Sequence, residues 1–229
     1  MNKRRFLSTT LAAAAFTPFR SGRAEDDGFI PLFDGKTLAG WKNPYGWGQA
    51  EVVDGEIRLT AAKKFFLVTD KPFTDFIFEG EVLLPDGNAN SGFMFRAHVE
   101  KDKVFGYQAE VDGSETRKWS GGLYDEGRRA WFISPRDNAS KKDPKPEDKA
   151  ACEASIAAFR KRAGDAFKRH DWNKYRITCQ GKKIKIEING TVTTEVEDST
   201  DASGPVGIQH HGEKGQTYRF RNLRIKELK

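Results

Sequence analysis

From Phe29 onward, short stretches of alternating apolar and polar residues are separated by Gly, Asp and Asn, the pattern of an antiparallel all-β domain. Asp54-Gly55, between 51–53 and 56–59, and Asn189-Gly190, between 183–188 and 191–196, predict two-residue hairpin turns. Such turns require positive φ, which Asp, Asn and Gly tolerate. Further strands are expected at 65–69, 76–84, 92–99, 104–111, 130–134, 172–178, 206–210 and 218–226. Roughly ten strands in a chain of this size imply two packed sheets enclosing one apolar layer.

Residues 146–169 break the alternation. They are rich in Ala, Lys and Glu and place Ile156, Phe159, Ala163 and Phe167 on one helical stripe, which predicts an inserted helix. A charged, proline-containing loop, 136–146, precedes it. The helix is expected either to cover a sheet edge, which needs protection, or to cap a site.

Strand parity then locates the polar chemistry, because side chains two apart share a face. In 92–99, Phe93, Phe95, Ala97 and Val99 form the apolar face, and Met94, Arg96 and His98 point the other way. In 104–111, Tyr107, Ala109 and Val111 face the core, opposite Gln108, Glu110 and Asp112. If these strands pair, Arg96, His98, Gln108, Glu110 and Asp112 line one outward patch. There an arginine can hold carboxylate charge, and a histidine can move protons near neutral pH. A solvated face with surface ion pairs has the same composition.

In 204–212, Val206, Ile208 and His210 share one face, and Gln209 and His211 the other, so His211 could reach the patch or one of the two histidines could cap the loop. Asn90 and Ser91 are expected to form a turn. Trp119, Tyr124 and Trp131 flank Gly121-Gly122 and could stack on a sugar ring, with core packing expected for at least one of them.

Composition narrows the class. With 17 Phe, 5 Trp and 5 Tyr, the chain has far more core-forming surface than a disordered sequence. No stretch approaches the roughly 20 apolar residues of a membrane-spanning helix. The net charge of +6 is concentrated at the start, where Lys3, Arg4, Arg5, Arg20 and Arg23 precede the first acid, Glu25. A basic start, a mildly apolar run and a small residue at Ala24 fit an export signal over 1–24, of twin-arginine type from RRFLS or of the general secretory type. Removing it leaves 34 basic residues against 33 acidic ones, so nothing recommends a nucleic-acid partner. The mature chain, 25–229, is then expected to be a single periplasmic or secreted domain.

Cys152 and Cys179 are too few for a paired-cysteine zinc site, and form either one disulfide or two separate thiols. The sequence has no phosphate-binding glycine loop, GxSxG elbow or HExxH pair.

FDGKTLAGW, NSGFMFR, GYQAEVD, GGLYD, WNKYRI with its later Asn-Gly turn, GPVGIQHHG and FRNLRIKEL occur in this order between Phe29 and Leu228. The series resembles the 3-keto-disaccharide hydrolase family, which commonly has Gln where this chain has Glu110 and often Asp where it has His210. The resemblance implies a concanavalin A-like jelly-roll β-sandwich, usually exported by bacteria, that acts on a small carbohydrate oxidised by an upstream sugar 3-dehydrogenase. The implied chemistry is cleavage of a 3-keto-glycoside by β-elimination, hydration of the resulting enone, or both. It assigns Glu110 or His211 as base and Arg96 as enolate stabiliser, with Asp112, Gln108, Gln209, His98, Trp119 and Tyr124 binding substrate. His and carboxylate oxygens could also hold a divalent metal, although no spacing in the sequence is diagnostic of one.

Two other readings remain open: a non-catalytic carbohydrate-binding module, and a laminarinase-like retaining glycosidase using Glu110 and Glu115 of EVDGSE. The latter would need a bulge at Gly113 to bring the two acids to one face.

Overall fold

The computed structural model describes residues 28–137 and 145–229. The expected export signal, and most of the loop ahead of the helix, lie outside the described residues. Two antiparallel sheets face each other. One runs β13 (Thr191–Glu197), β12 (Lys183–Ile188), β11 (Asn173–Gln180), β6 (Phe76–Leu83), β15 (Thr217–Glu227), β4 (Glu56–Thr60), β3 (Gln49–Val53), with β1 (Ile30–Pro31) pairing to β15. The other runs β10 (Ala130–Ser134), β9 (Leu123–Glu126), β8 (Lys103–Asp112), β7 (Asn90–Glu100), β14 (Gly207–His210), β5 (Phe65–Thr69), β2 (Trp41–Lys42). This is the expected jelly-roll sandwich. Both Asp54-Gly55 and Asn189-Gly190 turns form, with positive φ at all four residues.

The apolar layer between the sheets is built from the alternate residues that parity selected, among them Phe93, Phe95, Tyr107, Ala109, Val111, Val206 and Ile208. Phe93 is its hub, with ring centroids 5.0 Å from Tyr175, 5.7 Å from Phe78 and 5.8 Å from Phe220. Gly80 makes room for it, because a β-carbon there would stand 3.0 Å from the Phe93 ring and 2.7 Å from Leu223. Each fully buried aromatic of this kind contributes about 1.5–3 kcal/mol.

Within the β7–β8 pair parity fails at one place. Between Phe95 and His98 the pairing of β7 with β8 shifts register, with Arg96 at φ +46°. The extra residue of this bulge moves Ala97 out of the central layer. It joins Met94, Phe66, Val68 and Val104 in a second apolar cluster, with Val99 packed against it.

The helix α1 (Pro146–Ala163) is shorter than 146–169. Gly164 ends it at φ +51°, donating its N–H to Arg160 O at 2.9 Å. Phe159 and Ala163 pack with Trp119, flanked by Ile156 and Trp131, while Phe167 leaves the stripe for the central core. α1 rests on β13 and β10, the strands that end the two sheets on one side, so it covers that edge. Cys152 and Cys179 are separate, buried thiols.

Candidate functional site

The polar face of β8 supplies the centre of the site. Gln108, Glu110 and Asp112 occupy alternate positions, and all three are buried. Gly92 of β7 lies opposite Glu110. A β-carbon at Gly92 would meet the Gln108 side chain at 2.4 Å, so this glycine allows Gln108 to lean across β7. β9 adds Tyr124 and Glu126, β14 adds Gln209, and the chain just beyond adds His211. With Asn90, Lys64, Arg117 and Trp131, Gln108, Glu110, Tyr124, Glu126, Gln209 and His211 line a cavity of about 140 Å³, while Asp112 stands just outside it.

Glu110 is gripped on both oxygens. Its Oε1 accepts from Asn90 Nδ2 at 2.6 Å and Arg117 Nη2 at 2.9 Å, and its Oε2 from Gln108 Nε2 at 3.1 Å. Its backbone is fixed too, with the carbonyl accepting from Gly121 N at 2.8 Å and Tyr175 Oη at 2.9 Å. Burial pushes the Glu110 carboxyl up to about 7; Arg117 and Asn90 oppose that rise, and the charge of Asp112 adds to it. The group can therefore be acid or base near neutral pH.

Asp112 builds rather than reacts. Its Oδ1 accepts from Ser114 N at 3.0 Å, and its Oδ2 from Arg117 Nε at 2.8 Å and Trp119 N at 3.0 Å. It thereby folds the loop that brings Arg117 beside Glu110. The loop is also tied to α1, where Arg160 Nη2 donates to the carbonyls of Thr116 and Arg117, each at 3.3 Å.

His211 is half-exposed, its Nδ1 2.8 Å from Glu213 Oε1. Gln108 Oε1 and Gln209 Oε1 are buried without a donor, an arrangement that favours a ligand bearing hydroxyl groups. Tyr124 and Trp131 make a tilted aromatic pair with centroids 5.0 Å apart, and the Arg117 guanidinium lies 6.0 Å from the Trp131 ring.

The structure thus brings together Glu110, His211, Asp112, Gln108, Gln209 and Tyr124. Three expected members are elsewhere. Arg96, turned by the bulge, is 1% exposed and uses every guanidinium nitrogen. It donates to Thr74 O at 2.9 and 2.7 Å, Gly181 O at 2.8 Å, Asp201 O at 3.2 Å and Asp75 Oδ1 at 2.9 Å. It ties three loops together and has no donor left for a substrate. His98 stacks on Phe105 at 4.9 Å and contacts Asp201 Oδ1 at 2.7 Å. Arg96 and His98 lie four and six residues along β7 from the residue facing Glu110, roughly 13–20 Å away. Trp119 is buried against Phe159 of α1, with its ring 4.7 Å from Trp131, so it supports the platform instead of forming it.

Asn90, expected in a turn, starts β7 and bonds Glu110. Arg117 had no strand parity to reveal it. Its signal was chemical: two buried acids on one face require a cation, and the loop after Asp112 contains two, Arg117 and Lys118, of which the fold brings Arg117 to the acids.

Glu115 is exposed and does not join Glu110 in the cavity, so the paired carboxylates of a retaining glycosidase do not form from EVDGSE. Among the described residues, no group of three or more His, Cys, Asp or Glu side chains could hold a metal ion. The immediate neighbours of Glu110 are two amides and a guanidinium, hydrogen-bond donors that occupy its oxygens and do not suit a divalent cation there. A larger cavity, about 380 Å³, reaches Asp112 from the other side, between the loop at 113–120 and the chain around and after the end of α1. It lacks a histidine, and its other carboxylates, Glu115 and Asp165, are exposed, whereas the smaller cavity holds the buried Glu110 together with His211.

Residues 28–226 match the family model described as the 3-keto-alpha-glucoside-1,2-lyase-like domain. The chain belongs to this family. As a 3-keto-alpha-glucoside-1,2-lyase-like domain, it shares its sandwich with structures of low sequence identity. A candidate glycosyl hydrolase from Parabacteroides distasonis ATCC 8503 superimposes with a TM-score of 0.56 at 19% identity, over 87% of this chain and 99% of that one. The carbohydrate-binding module CBM66 from Bacillus subtilis gives a TM-score of 0.53 at 17% identity, over 82% and 96%. The carbohydrate recognition domain of Emp46p in its potassium-bound form gives 0.54 at 12%, over 84% and 90%. These likenesses concern the fold of the lyase-like domain. No curated protein matches the sequence. Among the described residues, no helix of the lyase-like domain is long and apolar enough to cross a membrane.

Proposed function

We propose that this protein cleaves 3-keto-glycosides by β-elimination and hydrates the product, with net hydrolysis of the glycoside. The observation that supports this reading is Glu110. It is a buried carboxyl pushed up to about 7, held beside Arg117 in the cavity that His211 also lines.

A ketone at carbon 3 acidifies the hydrogen on carbon 2. His211 removes that proton, and the guanidinium of Arg117 takes the place first expected for Arg96, offsetting the charge that develops on the enolate oxygen. The bond from carbon 1 to the aglycone oxygen breaks as carbon 1 and carbon 2 become doubly bonded, and Glu110 gives its proton to the leaving oxygen. In the second step Glu110, now a carboxylate, takes a proton from the water that adds to carbon 1. His211 returns its proton to carbon 2. Both groups recover their starting state. Gln108, Gln209 and Asn90 orient the sugar hydroxyls, and Trp131 with Tyr124 offers an apolar ring face.

The reading also places the chain downstream of a sugar 3-dehydrogenase and, with the basic leader, outside the cytoplasm. It is tested by incubating the protein with a 3-keto-glucoside while following enone absorbance and released aglycone. Turnover that falls about 100-fold in Glu110→Gln is the expected result. Saturable sugar binding with no turnover would replace this reading by a carbohydrate-binding role.

A further inference from the structure

His211 sits on a turn whose geometry is fixed from both sides. His210, fully buried, accepts from Gly212 N at its Nδ1, 3.0 Å away. Its Nε2 must then bear the ring hydrogen, and it donates to Gln216 O at 3.2 Å. The ring packs 4.4 Å from that of Tyr218 and 6.0 Å from that of Phe65. Burial lowers the basicity of His210, so it acts as a neutral strut tying together the two ends of the 210–216 turn.

A second set of contacts reaches His211 itself. Tyr218 Oη donates to Glu213 Oε2 at 2.6 Å, and Glu213 Oε1 lies 2.8 Å from His211 Nδ1. Tyr218 stays protonated, because its own burial and then its bond to Glu213 hold the phenol well above its ordinary range. It is a permanent donor to Glu213. A carboxylate offers only acceptors, so the hydrogen at the His211 contact belongs to Nδ1 and the lone pair is left on Nε2. His211 lines the cavity together with Glu110 and Arg117 from β8 and its loop, Tyr124 and Glu126 from β9, and Lys64 ahead of β5.

We infer that Glu213, held by Tyr218, is a positioning residue that fixes the Nδ1–H tautomer of His211 and leaves Nε2 as the proton acceptor. The inference rests on the reading of His211 as the group that takes the carbon-2 proton. Glu213 touches no reacting atom. It acts by denying the imidazole its other tautomer and its other rotations.

The test joins nitrogen-15 NMR of the histidine rings with steady-state kinetics on a 3-keto-glucoside, using the full chain. In the parent protein the neutral His211 ring shows the Nδ1–H signature. Glu213→Ala gives a mixture of tautomers and lowers kcat on the order of tenfold or more, with KM within about twofold. Glu213→Gln keeps an acceptor oxygen and recovers part of that loss. Tyr218→Phe, which keeps the buried ring, moves the tautomer in the same direction by a smaller amount and guards against a misfolded Glu213 variant. A residue with only a structural role would shift the melting transition and leave the tautomer alone. An unchanged tautomer and kcat in both Glu213→Ala and Tyr218→Phe would overturn the inference. A changed tautomer in Glu213→Ala with full turnover in His211→Ala would instead overturn the role of His211, and the positioning role with it.

Discussion

Arg117 Nη2 donates to Glu110 Oε1 at 2.9 Å, joining an acid on β8 to a cation seven residues further along the chain. Because Glu110 is buried, this bond opposes the desolvation that raises its proton affinity. Replacing Arg117 by Met removes that opposition, so the alkaline limb of the kcat/KM profile, set by the proton on Glu110, moves to higher pH. Turnover at pH 7 falls about 100-fold through loss of the enolate partner. A pH–rate profile identical to that of the parent chain would remove Arg117 from the mechanism.

The same carboxyl links stability to pH. Its folded value of about 7 lies above its usual 4.5, so between those values the folded chain keeps a proton that the unfolded chain has lost. Stability from this group is full below about pH 4.5 and declines as pH rises through 7. Glu110→Gln has no such decline. Urea unfolding at pH 5 and pH 8 is expected to show the variant gaining on the order of 2 kcal/mol relative to the parent chain between the two pH values. An equal difference at both pH values would mean that Glu110 titrates normally.

Kinetically, Glu110→Gln is expected to lower kcat by about 100-fold and leave KM within about threefold, as for a group whose proton matters only in the transition state. A rise in KM with kcat unchanged would make Glu110 a binding residue.

Arg96→Ala tests the reassigned arginine. It leaves the carbonyls of Thr74, Gly181 and Asp201 and the carboxylate of Asp75 without their shared donor. The expected loss of stability is about 3 kcal/mol or more, seen as a lower unfolding midpoint, with KM of the remaining folded protein unchanged. A selective loss of kcat without destabilisation would return Arg96 to the site.

The two tryptophans should separate. Trp131→Ala raises KM about 3- to 10-fold by removing a ring face from the cavity. Trp119→Ala instead costs about 3 kcal/mol of stability by loosening α1. The reverse pattern in binding and unfolding measurements would exchange their roles.

Alternation with period two, the Asp54-Gly55 and Asn189-Gly190 turns, and the break at Pro146 were sufficient to specify the sandwich and its inserted helix. Parity also placed Gln108, Glu110 and Asp112 on one face and Gln209 with His211 on another segment able to reach it, because a regular strand leaves its side chains only two directions. The tertiary structure decided the rest. The bulge after Phe95 sends Arg96 into a knot of loop carbonyls, and no local pattern announces where a strand will gain a residue. Arg117, Asn90 and Glu213 lie in a loop, at a strand start and on a turn, where no period assigns a face. Their partners are fixed by charge and burial across the assembled sheet. Sequence could list the chemical groups; only the folded chain could show that Glu110 is dry enough to hold a proton near neutral pH, and which arginine stands beside it.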